Sequence, residues 1–282
     1  MVSFSSLFVT GLMAASALAA PLRADSKSHE KRSSSKRGAA YNDASLISLV
    51  TGTSWAYNWD DSAGGTMPTG VEYVPMLWGT KMFNGWQSAV ESALSSGSSH
   101  ILGFNEPDET AQANMSPSQA ASYYKQYITP YAGRAQLGSP AVTNGNAADM
   151  GLNWLSQFLD ACGGSCGVDF LAIHWYNDAS QVDDFKQHIN NAISLGAQYG
   201  ISKIWITEFG ATGDANSQVS FLQEVLPWLD AQEGVERYAY FMVGDGTLLS
   251  GNSLSQIGEA YVEASVTVSA SASASASASV SA

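Results

Sequence analysis

The sequence predicts an α/β fold, a single (β/α)8 barrel of parallel strands. Short apolar runs of strand length recur along the chain, and segments with the 3.6-residue apolar period of a helix lie between most of them. Eight such units fill about 225 residues, the usual size of this barrel. An open doubly wound sheet is the alternative, but no Gly-x-Gly-x-x-Gly fingerprint follows any predicted strand to support its nucleotide site.

The strands are placed by their apolar runs. They are predicted to begin at Gly38, Thr53, Glu72, Ile101, Leu137, Phe170, Ile204 and Tyr238. The run between the first two strands is too short for a full helix and is predicted as one or two helical turns capped by Asp43. The strand count therefore rests most heavily on accepting 38–42 as the first strand.

Five amphipathic helices are predicted from the same periodicity. They cover 83–95, 117–131, 150–161, 183–199 and 217–230. Ser116 is the expected N-cap of the second helix, with Pro117 at its first position, and Gly97 and Gly200 follow the first and fourth helices. The predicted catalytic domain spans 38–262.

The first 37 residues are predicted to be a delivery segment. Residues 1–20 carry a short apolar run ending in Ala17-Leu18-Ala19, which is typical of a secretory signal peptide; a membrane anchor is the alternative. Residues 21–37 form a polar pro-segment with the dibasic pairs Lys31-Arg32 and Lys36-Arg37. Cleavage there predicts a mature chain starting at Ser33 or Gly38, and an uncut leader is the alternative.

The other end of the chain differs in composition from the domain. Residues 263–282 alternate Ser and Ala with occasional Val and Thr, a composition that cannot build a core. We therefore expect a disordered, O-glycosylated tail and a protein that is secreted to the medium or cell wall.

The charge of the chain limits its partners. The formal net charge is -13, and half of the 12 basic residues lie in the delivery segment, so the mature surface is more acidic still. Such a surface repels phosphate backbones and anionic lipids, which excludes nucleic acid and membrane surfaces as expected partners. We expect a monomer that acts on a neutral substrate.

Two further features follow from single motifs. Cys162 and Cys166, the only cysteines, are predicted to form one local disulfide in an oxidising compartment. No histidines accompany them, so no metal site is predicted. Asn114-Met115-Ser116 is a glycosylation sequon, although Pro117 directly after it leaves its occupancy open.

Two glutamates end apolar runs on the predicted active face. Glu106 follows the fourth strand and Glu208 the seventh, at the carboxyl ends where barrel enzymes build their sites. Cleavage of a glycosidic bond needs one carboxylic acid to protonate the leaving oxygen and a second carboxylate at the anomeric carbon. The pair therefore predicts a glycosidase. Solvated loop carboxylates are the alternative, and Asp108 and Glu109 compete for the acid role.

Aromatic and amide side chains accompany the glutamates at the predicted strand ends. Sugar rings stack on aromatic faces, and their hydroxyls need amide, imidazole and carboxylate partners. The predicted substrate-binding residues are Tyr57, Asn58, Trp59, Trp78, Asn105, His174, Trp175, Tyr176 and Tyr240. For His174 the alternative is a buried residue that orients Glu208.

Five ordered motifs resemble glycoside hydrolase family 128. They are Tyr57-Asn58-Trp59, Val74-Pro75-Met76-Leu77-Trp78-Gly79, Leu102-Gly103-Phe104-Asn105-Glu106-Pro107-Asp108, His174-Trp175-Tyr176 and Trp205-Ile206-Thr207-Glu208-Phe209-Gly210. The resemblance covers 38–262. This family includes fungal endo-β-1,3-glucanases and the alkali-sensitive linkage proteins of fungal cell walls.

The resemblance implies a secreted, cofactor-free, retaining endo-β-1,3-glucanase that acts on cell-wall or storage β-glucan by double displacement. It implies Glu106 as the acid/base, Glu208 as the nucleophile and Asn105 as a partner of the sugar 2-hydroxyl. The alternative is a wall protein that binds or transglycosylates β-glucan and hydrolyses it weakly. The Ser/Ala tail and the wall-protein members of the family keep that alternative open.

Overall fold

The computed structural model describes residues 36–263, which form parallel sheets flanked by helices. Two parallel sheets contain the strands in chain order, β1-β2-β3 and β4-β5-β6-β7-β8. The strands are β1 (Gly38–Ala40), β2 (Trp55–Tyr57), β3 (Glu72–Tyr73), β4 (His100–Ile101), β5 (Gln136–Val142), β6 (Phe170–Asp178), β7 (Ile204–Thr212) and β8 (Val235–Tyr240). The predicted α/β class and the parallel order of these strands are confirmed.

Parallel bridges continue the pairing where the two sheets meet. Met76 bridges Leu102, which joins the segment after β3 to the segment after β4. On the other side, Tyr41 after β1 bridges Val243 after β8, and the amide of Val243 donates to the Ala40 carbonyl at 2.8 Å. The strands on either side of both sheet borders are therefore in direct main-chain contact.

Five α-helices lie between the strands from β3 onward. They are α1 (Trp86–Ser95), α2 (Pro117–Tyr127), α3 (Gly151–Cys162), α4 (Val182–Gln198) and α5 (Ala215–Ala231). A short 3-10 helix, Ala44–Leu49, stands between β1 and β2, and Asp43 caps it by accepting from the amide of Ser45. The second helix is shorter than predicted, since Pro130 disfavours a helical Thr129 and the chain continues as the 3-10 turn Thr129–Tyr131.

The region after β8 was not predicted from the sequence. It contains the antiparallel pair β9 (Leu249–Ser250) and β10 (Ser253–Leu254), followed by a helix over 256–263. Among residues 36–263, no helix is both long and apolar enough to cross a membrane.

Two apolar clusters stabilise the fold. The larger one packs the helices against the sheets, and the smaller one contains side chains from both sheets, such as Trp55, Tyr57, Met76, Phe170 and Trp205. Trp205 stacks on Phe170 with ring centroids 4.1 Å apart. The partly buried Trp59 and Trp78 pack on this smaller cluster.

A half-buried ionic network connects three strands near their amino ends. Glu72 at the start of β3 receives Arg237 of β8 at 2.7 Å, and it contacts His100 of β4 at 2.9 Å. The guanidinium also lies 4.4 Å from the ring centroid of Trp205. Burial alone would raise the pKa of Glu72, but hydrogen bonds from His100 and Ser99 and the charge of Arg237 hold it at about 2.

Replacing Glu72 with glutamine is expected to destabilise the fold by about 3 kcal/mol at pH 7, because it leaves the half-buried Arg237 guanidinium without its counter-charge. The carboxylate contributes stability above its unfolded pKa of 4.5, and this contribution is lost as the pH falls from there towards about 2. Urea denaturation at pH 7 and pH 3 measures both effects. Glu91→Gln, which removes an exposed pair with Arg134, is the control, and an equal loss in both variants would contradict the prediction.

The first and last described residues meet at the amino-terminal edge of the strands. Arg37 is 1% exposed, and its Nη1 donates to the Val262 carbonyl at 2.9 Å while its guanidinium lies over the Tyr261 ring. Lys36 Nζ donates to the carbonyl of Gln232 at 2.6 Å. The predicted pro-segment therefore overlaps the folded domain at its last two residues. The predicted signal peptide (1–20), the first basic pair and nearly all of the predicted tail (263–282) lie outside the described residues.

Candidate active site

A bulge in β7 directs Glu208 towards the interior. Ile173 of β6 pairs with Ile206 and His174 pairs with Glu208, so Thr207 is an extra residue on β7. The extra residue breaks the alternation of sides along the strand, as bulges beside functional sites often do. Glu208 is 5% exposed and receives Trp59 Nε1 at 2.7 Å, the Tyr176 hydroxyl at its other oxygen, and the Tyr57 hydroxyl at 3.5 Å.

Glu106 lies in a loop with a constrained backbone. Its φ is 42°, in the left-handed region that residues other than glycine seldom occupy. Trp59, the partner of Glu208, also has a positive φ, 58°. Such conformations persist where the surrounding structure holds them, and they gather at functional sites. The two strained residues face the same cleft.

Asp108 supports the Glu106 loop from below. Its carboxylate accepts from the Thr143 hydroxyl at 2.6 Å and from the Gly151 amide at 2.8 Å, which ties the loop to the segment between β5 and α3. Gly151 has a φ of 54°, and a Cβ there would stand 2.0 Å from the Gly145 carbonyl oxygen. Asp108 therefore braces the loop, which makes it a poor competitor for the acid role.

His174 lies between the two glutamates. Its Nδ1 is 2.8 Å from Glu106 Oε1, its Nε2 is 3.0 Å from the Thr207 hydroxyl, and the same Nε2 is 3.5 Å from Glu208 Oε1. The ring is 0% exposed. Burial opposes a charge on this imidazole, but the carboxylates of Glu208 and Glu106 outweigh it and raise the pKa of His174.

The raised pKa of His174 predicts a stability trend with pH. A charged imidazole paired in the folded state contributes stability below the unfolded pKa of 6.5, and this contribution is lost as the pH rises through the higher folded pKa. Thermal midpoints of the wild type and of His174→Gln are therefore expected to converge between pH 6 and pH 9. His188→Gln is the control, because burial lowers the pKa of His188 and reverses the sign. A constant gap between the wild type and His174→Gln would contradict the assignment.

A cleft of 480 Å³ opens above the glutamates. Its lining is carboxylate, amide and aromatic, and comprises Asn42, Trp59, Trp78, Asn105, Glu106, Gln112, Tyr176, Glu208, Phe241 and Met242. Lys81 Nζ lies 3.4 Å from the ring centroid of Trp78, so one face of that indole is covered by a cation. The peptide bond between Phe241 and Met242 is cis. The cleft can hold a polar ring between aromatic surfaces and two carboxylates.

Four of the predicted substrate-binding residues line this cleft: Trp59, Trp78, Asn105 and Tyr176. Asn105 is 4% exposed, and among residues 36–263 its Oδ1 has no hydrogen-bond partner. Tyr57 and His174 lie beneath the cleft and contact the glutamates instead. For His174 this geometry matches the alternative stated above.

Three predicted residues lie away from the cleft. Asn58 donates to the Ser62 carbonyl in its own loop and accepts from the Tyr73 hydroxyl of β3. Trp175 is buried and donates to Asp184, and Tyr240 is 2% exposed with its hydroxyl donating to Gln218. Side chains alternate across a strand, so the residue after His174 points outward to the helices, and Tyr240 lies on the helix-facing side of β8 with Tyr238.

Four cleft residues are absent from the predicted site residues: Asn42, Gln112, Phe241 and Met242. Asn42 directly follows Tyr41, and Met242 directly precedes Val243, its bridging partner at the β1 and β8 border, so strand ends alone would have indicated both. Gln112 lies in the loop after Glu106 and is held by Asn105, whose Nδ2 donates to it at 3.4 Å. No periodic signal marks such a loop residue.

The remaining sequence predictions concern the cysteines, the sequon and metals. Cys162 and Cys166 form the predicted disulfide. Asn114 is exposed with a φ of 46°, next to the buried Met115, and its glycosylation stays a prediction. In the described part of the chain, Glu106, His174 and Glu208 form a group whose ligand atoms lie within 4.8 Å of one another. Both nitrogens of that imidazole are already engaged, which leaves none for a metal ion.

Comparisons with known proteins identify the family. The profile described as glycosyl hydrolase catalytic core matches residues 38–261. A curdlan-specific exo-β-1,3-glucanase from Blastomyces gilchristii, of family 128 subgroup III, is 50% identical with a TM-score of 0.79, covering 82% of this chain and 98% of that one. A subgroup I endo-β-1,3-glucanase from Amycolatopsis mediterranei, in complex with laminaritriose, is 30% identical with a TM-score of 0.68, covering 82% and 99%.

A further relative is a protein of fission yeast. Alkali-sensitive linkage protein 1 of Schizosaccharomyces pombe is 36% identical over 233 residues, which are 75% of this chain. The chain spans 40% of the length of that relative. Together with the aligned profile, these matches place the chain in the glycosyl hydrolase catalytic core family and, within it, in glycoside hydrolase family 128.

Proposed function

We propose that the protein is a secreted, retaining β-1,3-glucanase that works by double displacement, with Glu106 as acid/base and Glu208 as nucleophile. The spacing of the two carboxylates carries the proposal, because one oxygen of Glu106 lies within 4.8 Å of one oxygen of Glu208. Retaining glycosidases hold their carboxyl groups about 5–5.5 Å apart, whereas inverting enzymes need about 6.5–9.5 Å to admit a water molecule.

The hydrogen-bond partners of Glu208 suit a nucleophile held in one orientation. One carboxylate oxygen accepts from the Trp59 indole and the other from the Tyr176 hydroxyl. Burial and the charge of Glu208 raise the pKa of Tyr176, so this hydroxyl keeps its proton and remains a donor. A carboxylate oriented in this way can attack the anomeric carbon.

Glu106 is the more exposed of the two carboxylates and suits the proton-transfer role. Its side chain is 13% exposed against 7% for Glu208, and Oε1 contacts His174 at 2.8 Å. In the first step Glu106 gives its proton to the glycosidic oxygen while Glu208 forms an ester with the sugar. In the second step Glu106 takes a proton from the acceptor, which attacks the ester and releases a product of unchanged configuration.

The substrate class follows from the relatives and from the lining of the cleft. The Blastomyces gilchristii and Amycolatopsis mediterranei enzymes are described as β-1,3-glucanases, and the latter binds laminari-oligosaccharides. Trp59 and Tyr176 offer aromatic surface for sugar faces. The buried Oδ1 of Asn105, without a partner among residues 36–263, is placed to accept from the 2-hydroxyl of the sugar being cleaved.

Endo cleavage is our proposed mode, and two candidates have specific support beside it. The 50% identical enzyme is described as an exo-glucanase, which favours release from a chain end. The 36% identical relative is named a linkage protein, which favours a sugar rather than water as acceptor in the second step. Neither alternative changes the roles of the two glutamates.

One experiment tests this function. The purified domain is incubated with β-1,3- and β-1,4-linked gluco-oligosaccharides, and product sizes and anomeric configuration are followed by NMR. We expect cleavage of the β-1,3 series only, with the β-anomer appearing first. Early internal fragments indicate endo action, single glucose units exo action, and products longer than the substrate transglycosylation. An α-anomer as first product would overturn the retaining mechanism.

We further propose that the eight parallel strands form one closed (β/α)8 barrel. The bridges Met76–Leu102 and Tyr41–Val243 support it, since they link the two sheets on both sides. A closed barrel would place the ends of β4 and β7 across one mouth, which is consistent with Glu106 and Glu208 lining one cleft.

We propose secretion and processing from the signal-peptide pattern and the two dibasic pairs of the sequence. The fold favours one of these two pairs as the processing site. Arg37 is buried against the last helix and Lys36 bonds two carbonyls of the domain, whereas a protease needs its basic pair exposed and extended. We therefore expect cleavage after Arg32. Amino-terminal sequencing of the secreted protein is expected to begin at Ser33; a chain beginning at Gly38 would contradict this.

The same proposal includes the cofactors, the oligomeric state, the partners and the location of the protein. The protein is a cofactor-free monomer with β-glucan as its partner and with neither nucleic acid nor membrane, consistent with its net charge of -13. Its location is the medium or the cell wall. Residues 263–282 are the proposed glycosylated tail.

A further inference from the structure

A second cavity lies on the same face of the fold, beside the cleft. It measures 380 Å³ and is bounded by the segment after β5, the start of α3, the end of β6 and one side of α4. Amide side chains dominate its walls: Asn144, Asn146, Asn153, Asn177, Gln187 and Asn191. We call it the amide pocket. The cleavage mechanism uses none of these six side chains.

His188 also lines this pocket and presents a buried nitrogen. Among residues 36–263, its Nε2 has no hydrogen-bond partner. The main chain of His174 hydrogen-bonds the imidazole, but burial dominates and lowers the pKa of His188. The ring is therefore neutral at physiological pH, and a neutral imidazole that donates through one nitrogen accepts through the other. A buried acceptor left without a partner is costly, so a ligand hydroxyl there is favoured.

The chemistry of the pocket narrows the class of ligand. With His188 neutral, Asp184 is the one charged residue that lines the pocket. Its negative charge disfavours phosphate, sulfate and carboxylate ligands. The Oδ2 of Asp184 already accepts from Trp175 and Asn177. Amides present donors and acceptors side by side, which matches the vicinal hydroxyls of a sugar.

The pocket is joined directly to the cleft. Asn144 donates to the Tyr176 carbonyl at 3.1 Å and accepts from the Tyr176 amide at 3.2 Å. The side chain of Tyr176 is 37% exposed, lines the cleft and donates to Glu208. A chain bound at the glutamates can therefore pass over Tyr176 and Asn144 into the amide pocket.

We propose that the amide pocket is a distal subsite that binds a neutral pyranose ring of the same β-1,3-glucan chain that is cleaved between Glu106 and Glu208. This inference rests on the proposed function and deepens it. It makes affinity depend on chain length, because only a chain long enough to span both sites gains the pocket contacts.

The test uses exposed residues of α4. Gln187 and Asn191 hydrogen-bond each other at 2.8 Å and are replaced together with alanine, with Asn190→Ala on the same helix, outside the pocket, as the matched control. In a Glu208→Gln background, calorimetry measures the Kd of a β-1,3-linked glucohexasaccharide and trisaccharide. Loss of the pocket hydrogen bonds is expected to raise the hexasaccharide Kd about tenfold, with a smaller effect on the trisaccharide.

The outcomes separate this inference from the proposed function. Cleavage of the hexasaccharide by the wild type, together with an unchanged Kd in the double variant, overturns the pocket and leaves the function intact. No cleavage, together with a Kd that rises in the double variant and not in the control, supports the pocket and overturns the function. Neither cleavage nor binding overturns both. An equal rise in the control variant also overturns the pocket, since the effect then belongs to the helix.

Discussion

Replacing Glu208 with alanine is expected to lower kcat on β-1,3-glucan by about 10⁴-fold or more, because the covalent step loses its nucleophile. The space left by the removed carboxylate lies beside Trp59 and Tyr176, which donate to Glu208 in the wild type. This space can admit a small anion such as azide. Azide attacks the anomeric carbon once, so the product is a glycosyl azide of inverted, α configuration. Product analysis by NMR checks both the loss and the rescue.

The controls for this variant address structure and role. Glu208→Gln keeps the volume of the side chain and is expected to be equally inactive but not rescued, because no space is created. Thermal unfolding of both variants shows whether the fold persists. Full activity of Glu208→Ala would remove the residue from the mechanism, and a β-configured azide product would assign it the acid/base role instead.

Replacing Glu106 with alanine is expected to give a loss that depends on the leaving group. On β-1,3-glucan, kcat falls by about 10²–10⁴-fold, the usual contribution of a positioned acid/base. With an aryl β-glucoside whose phenolate is stable, the first step needs no proton and proceeds, while the second step is slow because no base activates water. A burst of phenol equal to the enzyme concentration is therefore expected in stopped-flow measurements.

Azide again identifies the role, with the opposite product. In Glu106→Ala it attacks the ester on Glu208, and two successive displacements return the β configuration. Glu109→Ala is the matched control, since that carboxylate bonds Thr110 and the amide of Ala111 in its own loop and is expected to have no effect. Equal losses on glucan and on the aryl glucoside would show that Glu106 does not act as the acid.

The strands that precede Glu106 and Glu208 could be predicted, because buried parallel strands are short apolar segments. Their side-chain directions could not all be predicted. Glu208 faces the cleft only through the bulge at Thr207, and that bulge depends on the register with β6, which is a pairing of residues far apart in the chain. The left-handed φ of Glu106 is likewise set by its surroundings and not by its own preference.

The errors among the aromatic residues have a different origin. A position at the end of a strand was treated as sufficient for a place in the cleft, although neighbouring residues point to opposite sides. That rule would have separated Trp175 from His174 at once. It would also have grouped Tyr240 with Tyr238 on the helix-facing side of β8, opposite Ala239. Loop residues such as Gln112 depend on tertiary contacts that no local pattern encodes.

The contact between Arg37 and Val262 bears on how the enzyme can be attached to a support. Both ends of the described domain lie at the amino-terminal edge of the strands, and the two glutamates lie at the carboxyl edge. A covalent link made through either end therefore leaves the cleft pointing away from the point of attachment. Immobilised on a resin or fused to a carrier, the domain would keep its mouth open to an insoluble polymer, and a circular permutant that joins the two ends would leave the site untouched.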